Sequence, residues 1–216
     1  MPTKSRKSSG PKRDLPVKRF RSQAAWQKWL LTHHERSQGV WIEFAKKASG
    51  VASVNYKEAL EVALCYGWID GQTASVDETW YRQRFTPRRA RSKWSQINRA
   101  SVERLHAEGR LAPAGIREME AAQRDGRWAA AYPASRNMTV PPDLEAALAE
   151  NPSAGRAFEK LDRQNRFAIL YRLHDAKRPE TRARRLANFV RLLARGETPL
   201  GARPASSGNK AAAVKK

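Results

Sequence analysis

Cysteine is nearly absent from the 216-residue chain, which has only Cys65. A single cysteine excludes an internal disulfide framework and a zinc site built from cysteines. The longest apolar runs, near 63–69 and 167–171, are far shorter than the roughly 20 residues that a membrane-spanning helix requires. The first 19 residues show no apolar stretch typical of a secretory signal. We therefore expect a cytoplasmic protein without a transmembrane segment.

The common catalytic signatures are also missing. The chain has no glycine-rich phosphate loop, no dinucleotide fingerprint, no nucleophile elbow and no HExxH metal motif. Its four histidines lack the spacing of metal ligands, and no complete set of acid, base and nucleophile can be named. The sequence therefore predicts no catalytic residue, no metal site and no cofactor.

Acidic residues are scarce in particular segments. The net charge of +21 comes from 42 Lys or Arg and 21 Asp or Glu. Residues 81–99 hold seven basic and no acidic residues, and 177–195 hold seven basic and one acidic. Residues 1–19 and 200–216 are also basic, whereas the rest of the chain is almost neutral. This pattern predicts a neutral body with two basic tails and two basic internal segments, which attract anions.

Composition and periodicity divide the chain into five parts. Residues 1–19 and 199–216 are rich in Lys, Ser, Pro or Gly, and we expect both to be disordered basic tails. Residues 20–126 mix helical and strand periods, and 141–198 are helical, with a linker at 127–140 between them. The predicted fold class is α+β: a small antiparallel or mixed sheet packed by helices, followed by an all-helical part.

Local signals place the elements. Alternating apolar residues predict a strand at 40–47, and aromatic and β-branched runs predict two more at 68–76 and 79–85, joined as a short hairpin. Helix starts are predicted from capping residues and from first-turn prolines. These are Ser22, Asn55 with Glu58 in a capping box, Asn98 or Ser101, Pro113, Pro142, Pro152 and Pro179. Large apolar residues of both parts are expected to form one shared core.

Several long motifs carry a family resemblance. They are GVWIEFAKK, SVNYKEALEVALCYGWIDGQ, WYRQRFTPRRARSKWSQIN, DGRWAAAY, PPDLEAALAENP and YRLHDAKRPETRARRLANFVRLLARGE. In this order they resemble the YdeI/OmpD-associated family, whose description also mentions bacteriocin protection. The resemblance covers residues 20–197 and implies a stress, envelope or bacteriocin-defence protein without an assigned reaction.

The segment around strand 79–85 is the best candidate for a ligand site. Side chains alternate along a strand, so Trp80, Arg82 and Arg84 lie on one side. Guanidinium groups beside aromatic rings suit carboxylates and phosphates. The predicted binding residues are Asp70, Arg82, Arg84, Arg88, Arg89, Trp94 and Asn98. The same arginines could instead tie loops to carboxylates within the fold, with Trp94 in the core.

Asp70 and Cys65 each allow two interpretations. Asp70 could act as an acid or base or orient Arg84, although Asp-Gly is also common in turns. Cys65 lies on an apolar helix face, which favours a buried, inert thiol.

Three function classes follow. The favoured one is a non-catalytic protein that binds an anionic ligand or protein partner. The alternatives are a nucleic-acid-binding protein that uses the basic tails and segments, and an enzyme with a pocket around Asp70.

Overall fold

The computed structural model describes residues 15–201 and divides the chain into two compact units between Ala131 and Tyr132. This boundary falls within the segment predicted as a linker. The first unit has a four-stranded mixed sheet with helices, and the second is helical, so the predicted α+β class is confirmed. No helix within these residues is long and apolar enough to span a membrane.

The first unit alternates short strands and helices. Its elements are β1 (Val17–Arg19), α1 (Gln23–His33), β2 (Val40–Ala45), a 3-10 turn (Lys47–Ser49), α2 (Tyr56–Cys65), β3 (Trp68–Ser75), β4 (Trp80–Pro87), α3 (Gln96–Ala107) and α4 (Pro113–Arg124). The three strands predicted from the sequence are confirmed. Gly67, between α2 and β3, has a φ of +70°, a conformation that glycine adopts at little cost.

Strand β1 corrects one prediction. Residues 17–19 were assigned to a disordered tail, yet they pair in parallel with β2, and Val17 lies opposite Trp41. Three residues of low apolar content carry little strand signal of their own, so the pairing depends on the neighbouring strand. The rest of the predicted N-terminal tail, residues 1–14, lies outside the described residues, as do residues 202–216 of the C-terminal one.

The sheet order is β1-β2-β4-β3, with β4 antiparallel to both neighbours. One face of the sheet carries the core of this unit. Val40, Ile42 and Phe44 of β2 and Phe85 of β4 are at most 1% exposed and belong to the same apolar cluster as Trp26 of α1. Trp26 anchors α1 on α2, since its indole N–H donates to the Ala59 carbonyl at 3.0 Å. The helical packing therefore occupies a single face, here called the inner face.

Capping explains where the helices begin. Ser22 caps α1, and Asn55 and Glu58 form a complete capping box at α2, as predicted. The predicted cap of α3, Asn98 or Ser101, is wrong. Ser95 is the cap, and its hydroxyl accepts the Asn98 backbone N–H at 3.1 Å.

The described part of the second unit, residues 132–201, has four helices, three of which begin at a predicted proline, while Asp162 caps the other. They are α5 (Pro142–Ala149), α6 (Pro152–Glu159), α7 (Arg163–His174) and α8 (Pro179–Ala194), after a 3-10 turn at Ser135–Asn137. Leu144, Phe158, Ile169, Leu173 and Leu193 are among the residues of its apolar core. The shared core expected from the sequence is wrong, because the described apolar residues form two clusters, each within one unit.

Candidate functional site

Strand β4 separates two chemically different faces of the sheet. Gln83 and Phe85 are buried on the inner face, 5% and 0% exposed, whereas Arg82 and Arg84 alternate with them and are partly exposed. The predicted alternation along this strand is confirmed. The face that carries these two arginines is called the outer face below.

The register of β2 and β4 fixes the neighbours on the outer face. Trp41 lies opposite Arg84, Glu43 opposite Arg82, and Ala45 opposite Trp80. Directly opposed side chains in an antiparallel pair have Cβ atoms about 5 Å apart, and residues two apart on one strand are about 7 Å apart. Guanidinium and indole groups are therefore interleaved at contact distance across the two central strands.

Two cation–π contacts organise this surface. The guanidinium carbon of Arg82 lies 5.0 Å from the Trp41 ring centre, and that of Arg19 lies 4.1 Å from the Trp80 ring centre. Arg19, on β1, also donates to Glu43 Oε2 at 2.7 Å. Such contacts hold guanidinium groups flat against the rings and limit their rotation.

Arg82 and Arg84 differ from Arg19 in having no carboxylate partner. Within residues 15–201 neither guanidinium forms an ion pair or hydrogen bond, and the Nε atom of each is inaccessible to solvent. Glu43 lies opposite Arg82, but its carboxylate is engaged by Arg19. Two partly buried positive charges without an ion-pair partner are unfavourable, so Arg82 and Arg84 attract an anion from solution. This pair is the strongest electrostatic feature of the outer face.

Gly71 makes room for one of these arginines. A Cβ atom at this position would lie 3.1 Å from Arg84 Nε, closer than ordinary van der Waals contact. The residue sits in an irregularity of the β3–β4 register between Asp70 and Thr73. The glycine of the WIDGQ motif thus allows the Arg84 guanidinium to lie against the strand backbone.

The other predicted basic residues do not join Arg82 and Arg84. Arg88 and Trp94 are buried, 6% and 2% exposed, with the guanidinium carbon 3.6 Å from the ring centre. Arg88 Nη1 also donates to the Lys93 carbonyl at 3.2 Å. This pair closes the loop after β4 against the core. Arg89 is exposed, and its backbone N–H bonds to Ser92 Oγ.

Asp70 lies on the inner face, away from the two outer arginines. Its Oδ2 accepts the Tyr56 hydroxyl at 2.9 Å and the Gln83 amide at 3.2 Å, and Gln83 Nε2 also donates to the Gly71 carbonyl at 2.8 Å. Burial raises the pKa of Asp70, while the Tyr56 hydrogen bond and the Arg88 charge act in the opposite direction. The expected contact with Arg84 is absent from the described hydrogen bonds and ion pairs.

Two further sequence inferences concern reactive groups. Cys65 is 6% exposed, which confirms the predicted burial, and this burial raises the pKa of its thiol to about 11. No group of three His, Cys, Asp or Glu side chains suited to a metal ion occurs between residues 15 and 201.

Two outer-face residues, Arg19 and Trp41, were missed as candidates. Alternation placed Trp80 beside Arg82 and Arg84, although it was not among the predicted binding residues. Alternation along β2 already separates Trp41 from the buried Val40 and Ile42. The register that places it beside Arg84 depends on strand pairing across some 40 residues of chain, which local patterns do not specify.

Comparison with known proteins divides the chain in a similar way. Residues 137–196 match the family described as bacteriocin-protection, YdeI or OmpD-associated. This stretch is therefore similar to a YdeI/OmpD-associated domain. Residues 18–118 match a separate domain of unknown function, DUF8412. No curated protein and no solved structure matches the chain.

The stretch similar to a YdeI/OmpD-associated domain lies within the helical unit, and the outer sheet face lies in the region that matches DUF8412. The resemblance inferred from the sequence is confirmed for residues 137–196. The AKRPETRARR motif has a structural role within this domain. Arg182 makes two 2.7 Å hydrogen bonds to the Asp143 carboxylate and a third, at 2.8 Å, to the Leu173 carbonyl, which ties α8 to α5 and α7.

Proposed function

We propose that the protein is a non-catalytic binding protein whose outer sheet face takes an anionic ligand. The observation that carries this proposal is the pair of unneutralised guanidinium groups of Arg82 and Arg84, one against the Trp41 indole and the other over Gly71. An anion with several oxygen atoms could accept hydrogen bonds from both groups, which stand about 7 Å apart along one strand.

A binding role fits the side chains better than catalysis. Asp70 was the main candidate for an acid or base, and its carboxylate is engaged by Tyr56 and Gln83 on the opposite face. The family description of residues 137–196 supports a role in bacteriocin protection as part of this proposal. A cytoplasmic location is supported by the single cysteine of the chain.

Titration of the protein with tripolyphosphate, followed by tryptophan fluorescence, tests the proposal. Trp41 and Trp80 lie on the proposed surface and report its occupation. Arg82→Gln with Arg84→Gln should weaken binding about 100-fold, because each charged hydrogen bond contributes about 1.5 kcal/mol. Arg117→Gln with Arg124→Gln removes the same charge from exposed positions and serves as the control.

Equal losses in both double variants would show that binding follows net charge alone, and the sheet face would then not be a site. An unchanged affinity in the Arg82 and Arg84 variant would equally contradict the proposal.

Single-stranded nucleic acid is a second candidate ligand. The interleaving of Trp41, Trp80, Arg82 and Arg84 on a partly exposed sheet face favours it, since bases stack on aromatic rings and on guanidinium planes. Affinity for an oligothymidylate should then fall steeply with salt, and removing both arginines should reduce the log–log slope by about 1.4. Binding of tripolyphosphate but not of oligothymidylate would reject this candidate and leave the first one intact.

A further inference from the structure

A cleft on the other side of the sheet has a composition unlike that of the outer face. It has a volume of about 510 Å³ and lies where the end of β2, the following 3-10 turn and the start of α2 meet Tyr81 of β4. This volume is within the range of small-molecule sites. Its residues include neither Arg82 nor Arg84, so it is independent of the proposed function.

Aromatic rings form one side of the cleft. Tyr81 stacks on Phe44 with ring centres 5.4 Å apart and an interplanar angle of 23°. Tyr56 contributes a second ring, which is fixed in place because its hydroxyl donates to Asp70 Oδ2 at 2.9 Å. Rings held in this way offer a flat apolar surface at low entropic cost.

Three lysines, Lys46, Lys47 and Lys57, form the charged side, and the residues that line the cleft include no Asp or Glu. Lys46 Nζ is held by the Asp77 carbonyl at 2.7 Å. Lys47 and Lys57 are exposed and form no ion pair with any residue between 15 and 201. Ammonium groups act as compact point charges, and lysine is a common phosphate-binding residue in proteins.

We propose that this cleft binds a small aryl phosphate, with the aromatic group against Tyr81 and the phosphate among Lys46, Lys47 and Lys57. The apolar side and the cationic side together select this class, since inorganic phosphate would leave the rings uncovered and a neutral phenol would leave the lysines without a counter-charge. The cleft is thus a second ligand site on the face opposite Arg82 and Arg84.

Phenyl phosphate is the probe for this site, and the measurement is an NMR titration of the full chain. The expected shifts are at Gly50, Tyr56, Lys57 and Tyr81, with an affinity at least tenfold higher than for inorganic phosphate or phenol. Lys47→Gln with Lys57→Gln should weaken binding at least tenfold. Lys28→Gln with Arg124→Gln removes two exposed charges elsewhere and should leave the affinity unchanged.

Arg82→Gln with Arg84→Gln should also leave phenyl phosphate binding unchanged, which separates this site from the outer face. Absence of binding at millimolar concentration would overturn the proposal. So would equal affinities for phenyl phosphate and inorganic phosphate, or equal losses in the cleft and control variants. Lys47→Gln alone provides a second test if the double variant is less stable, with an expected loss of at least threefold.

Discussion

The two internal basic segments have nearly the same composition but different surroundings. In 177–195, Arg182, Arg185 and Arg195 each lie within 4 Å of a carboxylate, those of Asp143, Asp175 and Glu197 respectively. In 81–99, Arg82 and Arg84 are partly buried without a partner among the described residues. A high count of basic residues therefore does not by itself indicate a site. The informative feature is a partly buried guanidinium that the fold leaves without a counter-charge.

Exposure matters in this comparison as much as pairing. Arg184, on α8, is exposed. Water hydrates an exposed guanidinium at no cost to folding, so such a residue, with no cleft or aromatic ring beside it, gives no indication of a ligand. Arg82 and Arg84 are held against a ring and a strand backbone, where hydration is incomplete.

The largest expected difference in stability is between replacing a core tryptophan and replacing a tryptophan of the outer face. Trp94→Ala should lower the free energy of unfolding by about 3–5 kcal/mol, because a buried ring is removed and Arg88 loses its packing partner. Trp80→Ala should cost only about 1–2 kcal/mol, since the ring is partly exposed and stacks on Arg19. Urea denaturation measures both values. Equal losses would contradict the assignment of Trp80 to a surface.

A smaller difference in stability is expected between replacing an arginine that forms an ion pair and replacing one that does not. Arg182→Ala should destabilise the protein by about 1–2 kcal/mol, since two charged hydrogen bonds to a partly exposed Asp143 and one to Leu173 are lost. Arg84→Ala should lower the stability by at most about 1 kcal/mol, because no ion pair is lost. Thermal denaturation monitored by calorimetry ranks the two variants. A greater loss of stability for Arg84→Ala would show that Arg84 stabilises the fold and would contradict its assignment to a ligand site.

The smallest effects are opposite pH dependences of two carboxylates. The Arg182 guanidinium lowers the pKa of Asp143, so the stability that Asp143 contributes is present above its unfolded pKa and is lost as the pH falls. Burial raises the pKa of Asp70, so its contribution is greatest at low pH and declines as the pH rises through the folded value.

Asparagine at each position removes the titration. Asp143→Asn should destabilise the protein at about pH 7, and this penalty should shrink as the pH falls toward about 3. Asp70→Asn should gain stability relative to the unmodified chain as the pH rises from about 3 to about 7. Urea unfolding at several pH values measures both trends. Trends of the same sign would contradict the environments described for these carboxylates.

Much of the fold was predictable because its signals are local. Asn55 and Glu58 lie three residues apart at a helix start, and Pro113, Pro142, Pro152 and Pro179 each lie at the first position of a helix. Local signals also compete, which explains the error at α3: Ser95, Asn98 and Ser101 all have capping side chains, and only packing decides between them.

The candidate site was predictable only in part because it depends on strand pairing. Alternation along β4 was enough to place Arg82 and Arg84 on one side and to separate them from the buried Phe85. Arg88 and Trp94 follow the strand, where the alternation of side chains no longer applies. Their contact with each other in the core was therefore not predictable from sequence periodicity. Arg19 reaches the face through the pairing of β1 with β2.

The central claim is that anions bind the unpaired arginines of the sheet and not the paired arginines of the helical unit. The most direct measurement compares the tripolyphosphate affinity of Arg82→Gln with Arg84→Gln against that of Arg185→Gln with Arg195→Gln. Both pairs of changes remove two positive charges. We expect about a 100-fold loss for the first and less than about a threefold loss for the second. Equal losses, or a greater loss for the second, would contradict the account.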